Sequence, residues 1–314
     1  MMPPFVSVII PTYNRARTAC DCVASVLRSD YREIEVILVD DASPDNTRDL
    51  VESRFGSDPR VRYVRNETNL QPAGGRNRGA DLAKGEYLLF VDDDNLVEPD
   101  MVSKLVRGMS LDSALGQIAP LAIHKAPNLI WTLGSTFNLW TSQPKNLHER
   151  EPADRVALED RLYPSWYSPN VWMVKKEAFD RIGGCDPFYR IMFDESDFGM
   201  RLRRAGYRSA IYPMARTYHL GFLEPGKTAA LRGLGIESPE RAYCFARNRS
   251  VFVRRHFPPV NRAVVLTVFV PLFAVYYGAV ALRHRRPDIA WAFLKGTFAG
   301  WFSFPREPRG ADAG

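Results

Sequence analysis

Cysteine is scarce in this chain of 314 residues, which contains only four. Cys20 and Cys22 lie two residues apart on a predicted helix, where their side chains point to different faces and cannot share a metal. Cys185 and Cys244 are isolated in the sequence, and no spacing typical of a zinc site or a disulfide framework occurs. We therefore interpret all four as small apolar residues in a reducing compartment.

Internal repeats and low-complexity tracts are also missing, and we expect no signal peptide. The first apolar run, Phe5 to Ile10, is too short for the core of a signal peptide and stops at Pro11. With 46% hydrophobic and 25% charged residues, the composition is that of a globular protein. We expect a cytoplasmic catalytic part, built as one large α/β domain with an appendage or as two ordinary domains.

Positive charge is concentrated late in the chain. The net charge is +6, but residues 201–262 hold 13 Lys or Arg and three acids, a local balance of +10. Such a segment can bind nucleic acid, a diphosphate or anionic lipid. It leads into Ala263 to Leu282, which has no charged residue and is long enough to span a bilayer as a helix. A membrane surface is therefore the expected partner, and nucleic acid is not expected.

Two apolar stretches define the predicted membrane-associated part. Basic residues flank residues 263–282 on both sides, so this candidate transmembrane helix has no settled direction. The alternative is a buried soluble helix kinked at Pro271. Residues 289–304 are shorter and rich in Trp and Phe, which indicates an interfacial or re-entrant helix. The predicted location is the cell membrane, with the catalytic domain on the cytoplasmic side.

Short apolar runs alternate with helical patterns over the first 95 residues. The runs are Val6 to Ile10, Glu35 to Val39, Val61 to Val64 and Tyr87 to Val91, and the helical patterns cover residues 17–29, 46–55 and 73–84. This alternation predicts βαβ units and a mostly parallel, Rossmann-like sheet flanked by helices. Ligands of such sheets bind beyond the carboxyl ends of the strands.

Polar residues gather at those strand ends. The first strand is followed by Pro11-Thr12-Tyr13-Asn14, the second by Asp40-Asp41-Ala42-Ser43 and the fourth by Asp92-Asp93-Asp94. Three adjacent acids repel one another, and hard cations such as Mg²⁺ bridge carboxylates to substrate phosphates. The set predicts a nucleoside diphosphate site. The alternative is that the aspartate run caps the next helix and that Asp40-Asp41 form a turn and cap.

Gly74-Gly75 are expected to open the third helix. A helix N-terminus attracts anions, and Arg76 or Arg78 could add a charge-assisted contact to a phosphate.

These motifs resemble the inverting glycosyltransferases of family 2, which have the GT-A fold, in particular membrane-associated bacterial or archaeal enzymes of rhamnosyltransferase-like type. The matching segments are VSVIIPTYNR (6–15), ILVDDASPDNT (37–47), GGRNRGADLAKGEYLLFVDDDN (74–95) and a later acidic block, in family order over roughly residues 5–205.

The resemblance implies a nucleoside-diphosphate sugar donor, a Mg²⁺ or Mn²⁺ ion and inversion at the anomeric carbon. It assigns the donor site to residues at the strand ends and on the third helix: Pro11, Thr12, Tyr13, Asp41, Arg76, Asp92 and Asp93. Asp94 is the expected chief metal ligand, with Asp92 beside it and Asp93 turned towards the sugar.

A second acidic cluster, Phe193-Asp194-Glu195-Ser196-Asp197, offers the general base that an inverting transfer needs. Arg201 lies four residues after Asp197 and can pair with it on one helix face, so Asp197 is interpreted as structural. The family position of the base falls on Glu195, where many relatives carry aspartate, so the choice between Glu195 and Asp194 stays open. The alternative is that these acids only cap a helix over 198–205.

Other candidates lie outside the two acidic clusters. His219, after a short predicted strand, is a candidate third metal ligand, although a lone histidine is more often structural. Trp166, in a Pro-bounded loop, is the preferred acceptor contact, whereas Trp172 lies in an alternating run expected to be a core strand.

The predicted organisation is a GT-A catalytic domain over 1–230, followed by a basic linker and membrane-associated helices over 231–314. Residues 1–95 form its nucleotide-binding half and residues 96–230 its acceptor half with the base. The predicted activity is metal-dependent inverting transfer of a sugar to a glycan or polyprenyl-linked acceptor. A nucleotidyltransferase acting on a sugar phosphate and a non-catalytic nucleotide- or glycan-binding module are the alternatives. The sequence leaves the oligomeric state open.

Overall fold

A computed structural model describes residues 3–221, 229–305 and 308 of the chain. Ten strands form one mixed sheet, in the order β10-β12-β6-β11-β4-β1-β2-β3, with β5 paired to β12 and β7 to β6. The strands are β1 (Val6–Thr12), β2 (Ile34–Asp40), β3 (Val61–Arg65), β4 (Tyr87–Val91), β5 (Asn95–Val97), β6 (Leu115–His124), β7 (Leu129–Thr132), β8 (Ser135–Phe137), β9 (Pro144–Asn146), β10 (Tyr163–Ser165), β11 (Val171–Lys175) and β12 (Arg208–His219). Strands β8 and β9 form a separate hairpin.

The helices in the first two thirds of the chain pack on the sheet, and the later helices form a C-terminal bundle. They are α1 (Ala16–Leu27), α2 (Thr47–Phe55), α3 (Gln71–Leu82), α4 (Met101–Ser110), α5 (Lys176–Arg181), α6 (Asp194–Arg204), α7 (Ala229–Gly233), α8 (Pro239–His256), α9 (Pro259–Val264), α10 (Val270–Arg283) and α11 (Pro287–Phe302), with a 3₁₀ turn at Pro187–Tyr189 and a π-helical segment at Val265–Phe269.

The parallel part of the sheet follows the predicted βαβ pattern. Strands β3, β2, β1 and β4 are mutually parallel neighbours, so their carboxyl ends lie along one edge. β11 then enters antiparallel between β4 and β6, which makes the sheet mixed. Trp172 on β11 is fully buried and packs against the rings of Phe90 and Phe198, as its alternating context predicted.

Both faces of the sheet are covered. One apolar cluster packs α1, α2 and α4 against the sheet, and a second packs α3, α5 and α6 against the other face. The central strands β1, β2, β4, β6 and β11 are therefore largely apolar and buried, as expected for a sheet between two helical layers.

Two predicted element boundaries differ from the structure at positions that matter for the site. Helix α3 begins at Gln71, so Gly74-Gly75 lie inside its first turns and do not open it. Helix α6 begins at Asp194 rather than after the acidic cluster, so the acids form its first turn. Carboxylates in a first helical turn are favoured by the positive end of the helix dipole.

The C-terminal helices form a bundle attached to the catalytic part. The segments α9, Val265–Phe269 and α10 make one continuous apolar helix, Pro259–Arg283, long enough to cross a membrane. A cluster of α7, α8, α10 and α11 residues forms the interior of the bundle, and another joins Phe252 and Val265 to Phe137 and Tyr189 of the catalytic part. The boundary predicted near residue 230 stays a prediction, and positions 306, 307 and 309–314 lie outside the described residues.

Candidate active site

The aspartate run lies at the mouth of β4, beside the carboxyl ends of β1 and β2. Its three carboxylates point to three different sets of partners. Asp93 accepts a hydrogen bond from the Thr12 hydroxyl at 2.6 Å, and Arg15 Nη1 contacts Asp93 at 3.0 Å and Asp94 at 2.9 Å. Thr12 and Asp93 were both predicted donor-site residues, and the structure brings them into contact. The bridging role of Arg15 was not foreseen, although Arg15 ends the first motif.

Burial and the Arg15 contacts set the proton affinities here. Burial raises the pKa of Asp93 to about 6, even though Arg15 and Thr12 favour its charged form. Asp94 is also desolvated, but its hydrogen bonding to His219 and the positive charge of Arg15 outweigh that burial and lower its pKa. Asp94 therefore stays charged through the physiological range, as a metal ligand must.

His219 lies beside Asp94, with its Nε2 atom 3.5 Å from the carboxylate. Strand pairing explains this, because β5 directly follows the aspartate run and aligns Asn95 with His219 at the end of β12. A carboxylate and an imidazole suit Mn²⁺ or Mg²⁺ when diphosphate oxygens supply further ligands. Within residues 3–221, 229–305 and 308, no three acidic, His or Cys side chains converge on one metal position.

Arg76 occupies the centre of the site and joins the two acidic clusters. Its Nη2 contacts Asp92 at 2.7 Å and Glu195 at 3.0 Å, and its Nη1 contacts Asp194 at 2.7 Å. The Arg76 side chain is only 3% exposed. Through Arg76, Asp92 is therefore linked to the second acidic cluster. Arg76 was predicted as a donor contact on the third helix, and its position between three carboxylates was not foreseen.

Glu195 combines burial with nearby negative charge. Desolvation, opposed by Arg76 but reinforced by Asp194 and Asp92, raises the pKa of the Glu195 carboxyl to about 8. The backbone N–H of Asn170 donates to Glu195 at 3.2 Å. Glu195 is the more accessible of the two base candidates, with 20% of its side chain exposed against 11% for Asp194. A carboxyl group with a pKa near neutrality and solvent access suits a general base.

Strained backbone precedes the helix that carries these acids. Arg190, Met192 and Phe193 all have positive φ angles, a left-handed conformation that non-glycine residues rarely adopt. The Asn248 amide, fully buried on α8, lies 2.7–2.9 Å from the carbonyl oxygens of Tyr189, Ile191 and Met192. Strain of this kind persists only where surrounding contacts hold it, and it is common at functional sites.

Asp41 holds the start of α3. Its carboxylate accepts hydrogen bonds from the Asn66 amide and from the backbone N–H groups of Leu70 and Gln71, all at 2.8 Å. The helix-capping role considered for Asp40-Asp41 is thus performed by Asp41, but at the start of α3 and not of α2. Its predicted contact with the donor stays a prediction.

Two further donor candidates lie at the end of β1. Tyr13 is 48% exposed, and an exposed ring of this kind is suited to stacking on a base. Pro11 packs near Gly75, where an added Cβ atom would come within 3.1 Å of the Pro11 side chain. This close approach seats α3, and with it Arg76, against β1.

Asp197 has the structural contact predicted for it. Arg201 donates to Asp197 at 2.7 Å, and both side chains are buried. Asp197 also has two partners on α8 that were not predicted: Arg255 at 3.3 Å and His256 Nε2 at 2.8 Å. Burial alone would raise the pKa of Asp197, but the contacts with His256 and Arg201 outweigh it and hold that pKa far below its usual range.

The aromatic residues divide between two places. Trp166 lies with Arg203 of α6 beside a cavity of about 420 Å³ whose lining does not include the carboxylates joined by Arg76. Trp131 instead contacts His219 at a ring distance of 4.9 Å and stacks on His124 at 4.9 Å. The acceptor role predicted for Trp166 stays a prediction, and Trp131 is the aromatic residue adjoining Asp94 through His219.

The family model of glycosyl transferase family 2 matches residues 7–193. The chain belongs to this family. Among curated relatives, "Glycosyltransferase GlyG" of Streptococcus pneumoniae serotype 4 is 38% identical over 185 residues, 58% of this chain and 60% of that protein. The "GalNAc(5)-diNAcBac-PP-undecaprenol beta-1,3-glucosyltransferase" of Campylobacter jejuni is 35% identical over 105 residues, 33% of this chain and 34% of that protein. The matches thus span about 60% and about a third of these relatives' lengths.

Solved structures confirm the predicted GT-A fold. The mannosyltransferase PcManGT from Pyrobaculum calidifontis, in complex with GDP-Man and Mn²⁺, has a TM-score of 0.59 at 17% identity, covering 96% of this chain and 88% of that one. GalNAc-T7 with UDP, GalNAc and Mn²⁺ has a TM-score of 0.61 at 18% identity, covering 94% and 56%. At these identities the likeness concerns the fold alone.

Proposed function

We propose that this protein is a metal-dependent inverting glycosyltransferase. It moves a sugar from a nucleoside-diphosphate donor to a glycan or polyprenyl-linked acceptor at the cytoplasmic side of a membrane. The observation that carries the proposal is the Arg76 bridge, which holds the donor-side Asp92 and the base candidate Glu195 on one guanidinium nitrogen. The bridge brings a donor-binding edge and a proton acceptor into one site, as sugar transfer requires.

The donor side of the site is formed by residues at the strand ends. Tyr13 offers an exposed ring for the base, and Thr12, Arg15 and Asp93 form a linked polar group beside it. Asp94 and His219 would hold Mn²⁺ or Mg²⁺ with the diphosphate, and Asp92 is a further candidate ligand. The metal would neutralise charge on the leaving diphosphate.

Glu195 is the proposed base. It accepts the proton of the acceptor hydroxyl while that oxygen forms a bond to the anomeric carbon. The bond from that carbon to the diphosphate oxygen breaks on the opposite side, and the nucleoside diphosphate leaves with the electron pair. The raised pKa of Glu195 supports this role, since a base works best when its pKa lies near the working pH, and the greater exposure of its side chain favours it over Asp194.

The lipid-linked acceptor is supported by two separate features. One curated relative is named for an undecaprenol-diphosphate acceptor. This chain also carries an apolar helix long enough for a membrane beside its catalytic part.

A two-stage experiment tests the proposal. A thermal-shift screen of nucleotide sugars with Mn²⁺ and Mg²⁺ should name the donor, because a matching donor and metal stabilise the folded state by mass action. Incubation with that donor and membrane lipid extract should then release a nucleoside diphosphate. Release of inorganic pyrophosphate would instead reveal a nucleotidyltransferase, and binding without any turnover would reveal a non-catalytic module.

The variant Glu195→Gln tests the base. It should retain donor binding in the thermal-shift assay but lose about 10²–10⁴-fold in turnover, the usual contribution of a general base. Glu177→Gln, on the exposed surface of α5, is the matched control and should keep full activity. Near wild-type transfer by Glu195→Gln would overturn the assignment and leave Asp194 as the candidate base.

A further inference from the structure

The outer face of the C-terminal bundle is apolar and uncovered. On the helix Pro259–Arg283, only 22% of the residues in the most apolar stretch are buried. Leu272, Val275 and Tyr276 on that helix, and Trp291, Phe298 and Phe302 on α11, are each more than half exposed. They recur at helical spacing, so each helix presents one outward stripe. A soluble monomer rarely leaves so many large apolar side chains in water.

Positive charge borders this face. Arg283, His284 and Arg285 are exposed at the turn that joins α10 to α11. Lys295 is exposed beside the α11 stripe, with its ammonium 5.2 Å from the centre of the Trp291 ring. Apolar side chains bordered by Lys, Arg and Trp match the boundary between anionic headgroups and acyl chains.

The packing of α11 on α8 argues against a helix that crosses the bilayer. At Gly296 and Gly300 an added Cβ atom would lie 2.3 Å from the Tyr243 carbonyl oxygen and 2.9 Å from that of Arg247. Arg254, further along α8, donates to the Gly300 carbonyl at 2.6 Å. Successive residues of α11 contact successive residues of α8 in the same order, so the two helices lie side by side and parallel.

The apolar helix Pro259–Arg283 packs alongside α8 and α11, so the three helices would lie at the same depth relative to a membrane. The rings of Tyr277 on α10 and Phe293 on α11 stack at 4.7 Å. If Pro259–Arg283 spanned the bilayer, α8 would also lie within the hydrocarbon core. Its charged residues, including Arg241 and Arg247, would then be inside the membrane. Charged side chains at that depth are rare and costly. The last turn of α8 is moreover bonded to the catalytic part, where Arg255 contacts Asp186 at 2.6 Å.

We infer that Pro259–Arg283 and α11 lie in the plane of one leaflet rich in anionic phospholipids, and that neither helix crosses it. The bundle is then a monotopic anchor whose inner helix, α8, fixes the distance from the lipid surface to the active site. This inference rests on the membrane association in the proposed function and adds its geometry.

Topology can be measured in membranes from cells that produce the full chain. His284→Cys places a thiol at the turn, and Ser57→Cys places one on the catalytic part, whereas the four native cysteines are buried. In inverted vesicles, with the cytoplasmic side outward, a membrane-impermeant maleimide should label both sites. Labelling of position 284 only in right-side-out vesicles would show a spanning helix and overturn the inference while leaving membrane association intact.

Flotation of the purified protein with vesicles tests the surface itself. Binding should be strong to phosphatidylcholine vesicles containing one-third phosphatidylglycerol and weaker to phosphatidylcholine alone. Leu272→Asp should reduce binding by at least about tenfold, because it places a charge on the inserted face. Leu111→Asp, at a similarly exposed leucine on the catalytic part, should bind as wild type. Failure to bind either vesicle would refute the membrane association on which both proposals depend, and equal binding by the two variants would refute this surface.

Discussion

Arg76 is the residue whose removal should reveal most about the site. Asp92, Asp194 and Glu195 all contact its guanidinium, and no other cation contacts these three carboxylates among the hydrogen bonds and ion pairs of the described residues. In Arg76→Gln the three acids would face one another without compensation. Breaking a buried ion pair by removing one partner typically costs about 3–5 kcal/mol. We expect a loss of that size in the free energy of unfolding at pH 8.

The loss should depend on pH in a defined direction. The pKa of Glu195 is about 8 in the folded protein and would rise further without Arg76. A carboxyl group whose pKa is raised by folding takes up protons on folding, so its destabilising effect grows as pH rises from its unfolded value towards its folded value. At pH 5 Glu195 is protonated, so the cluster carries less negative charge and Arg76→Gln should then be only mildly destabilised.

Urea denaturation at pH 5 and pH 8, followed by circular dichroism, measures both quantities. Arg48→Gln is the control, because Arg48 pairs with Glu52 on the surface and such exposed pairs contribute little to stability. Arg76→Lys should restore only part of the stability, since an ammonium cannot form the fork of contacts that the guanidinium makes. A loss below about 1 kcal/mol, or an equal loss at both pH values, would refute the view that Arg76 neutralises this cluster.

Two other predictions concern proton transfer and the metal. For wild type, kcat/KM should rise with pH up to about 8 and then level off, since Glu195 must lose its proton to act as a base; a flat profile between pH 6 and 8 would contradict this. Asp94→Asn should weaken Mn²⁺ binding in the presence of donor by at least about tenfold in calorimetry, whereas Asp21→Asn, on the surface of α1, should not. Unchanged Mn²⁺ affinity in Asp94→Asn would remove it from the metal site.

The sequence predicted the parts of the site that depend on local pattern. Runs of apolar residues located β1, β2 and β4, and polar residues at their ends identified Thr12, Asp93 and Asp94, because a strand's carboxyl end is where such residues become accessible. The spacing of Asp197 and Arg201 likewise predicted their contact, since four residues make one helical turn.

Contacts between distant segments had no such local signal. The bridge from Arg76 to Glu195 joins residues 119 positions apart. Its formation depends on α3 and α6 packing on the same face of the sheet. His219 reaches Asp94 only because β5 pairs with the end of β12. A single sequence contains the residues of these contacts but not the strand order that brings them together.

Helix α8 links the proposed base to the proposed membrane anchor. Asn248 holds the strained loop before α6, while His256 and Arg255 hold Asp197 inside α6, so both ends of the acidic cluster depend on α8. Asp197 is fully buried, and without α8 its negative charge would lose its contacts with Arg255 and His256. The catalytic part therefore needs the C-terminal helices to hold its base, even though their outer face is built for lipid. We therefore propose that the boundary predicted near residue 230 separates functions rather than independent folding units.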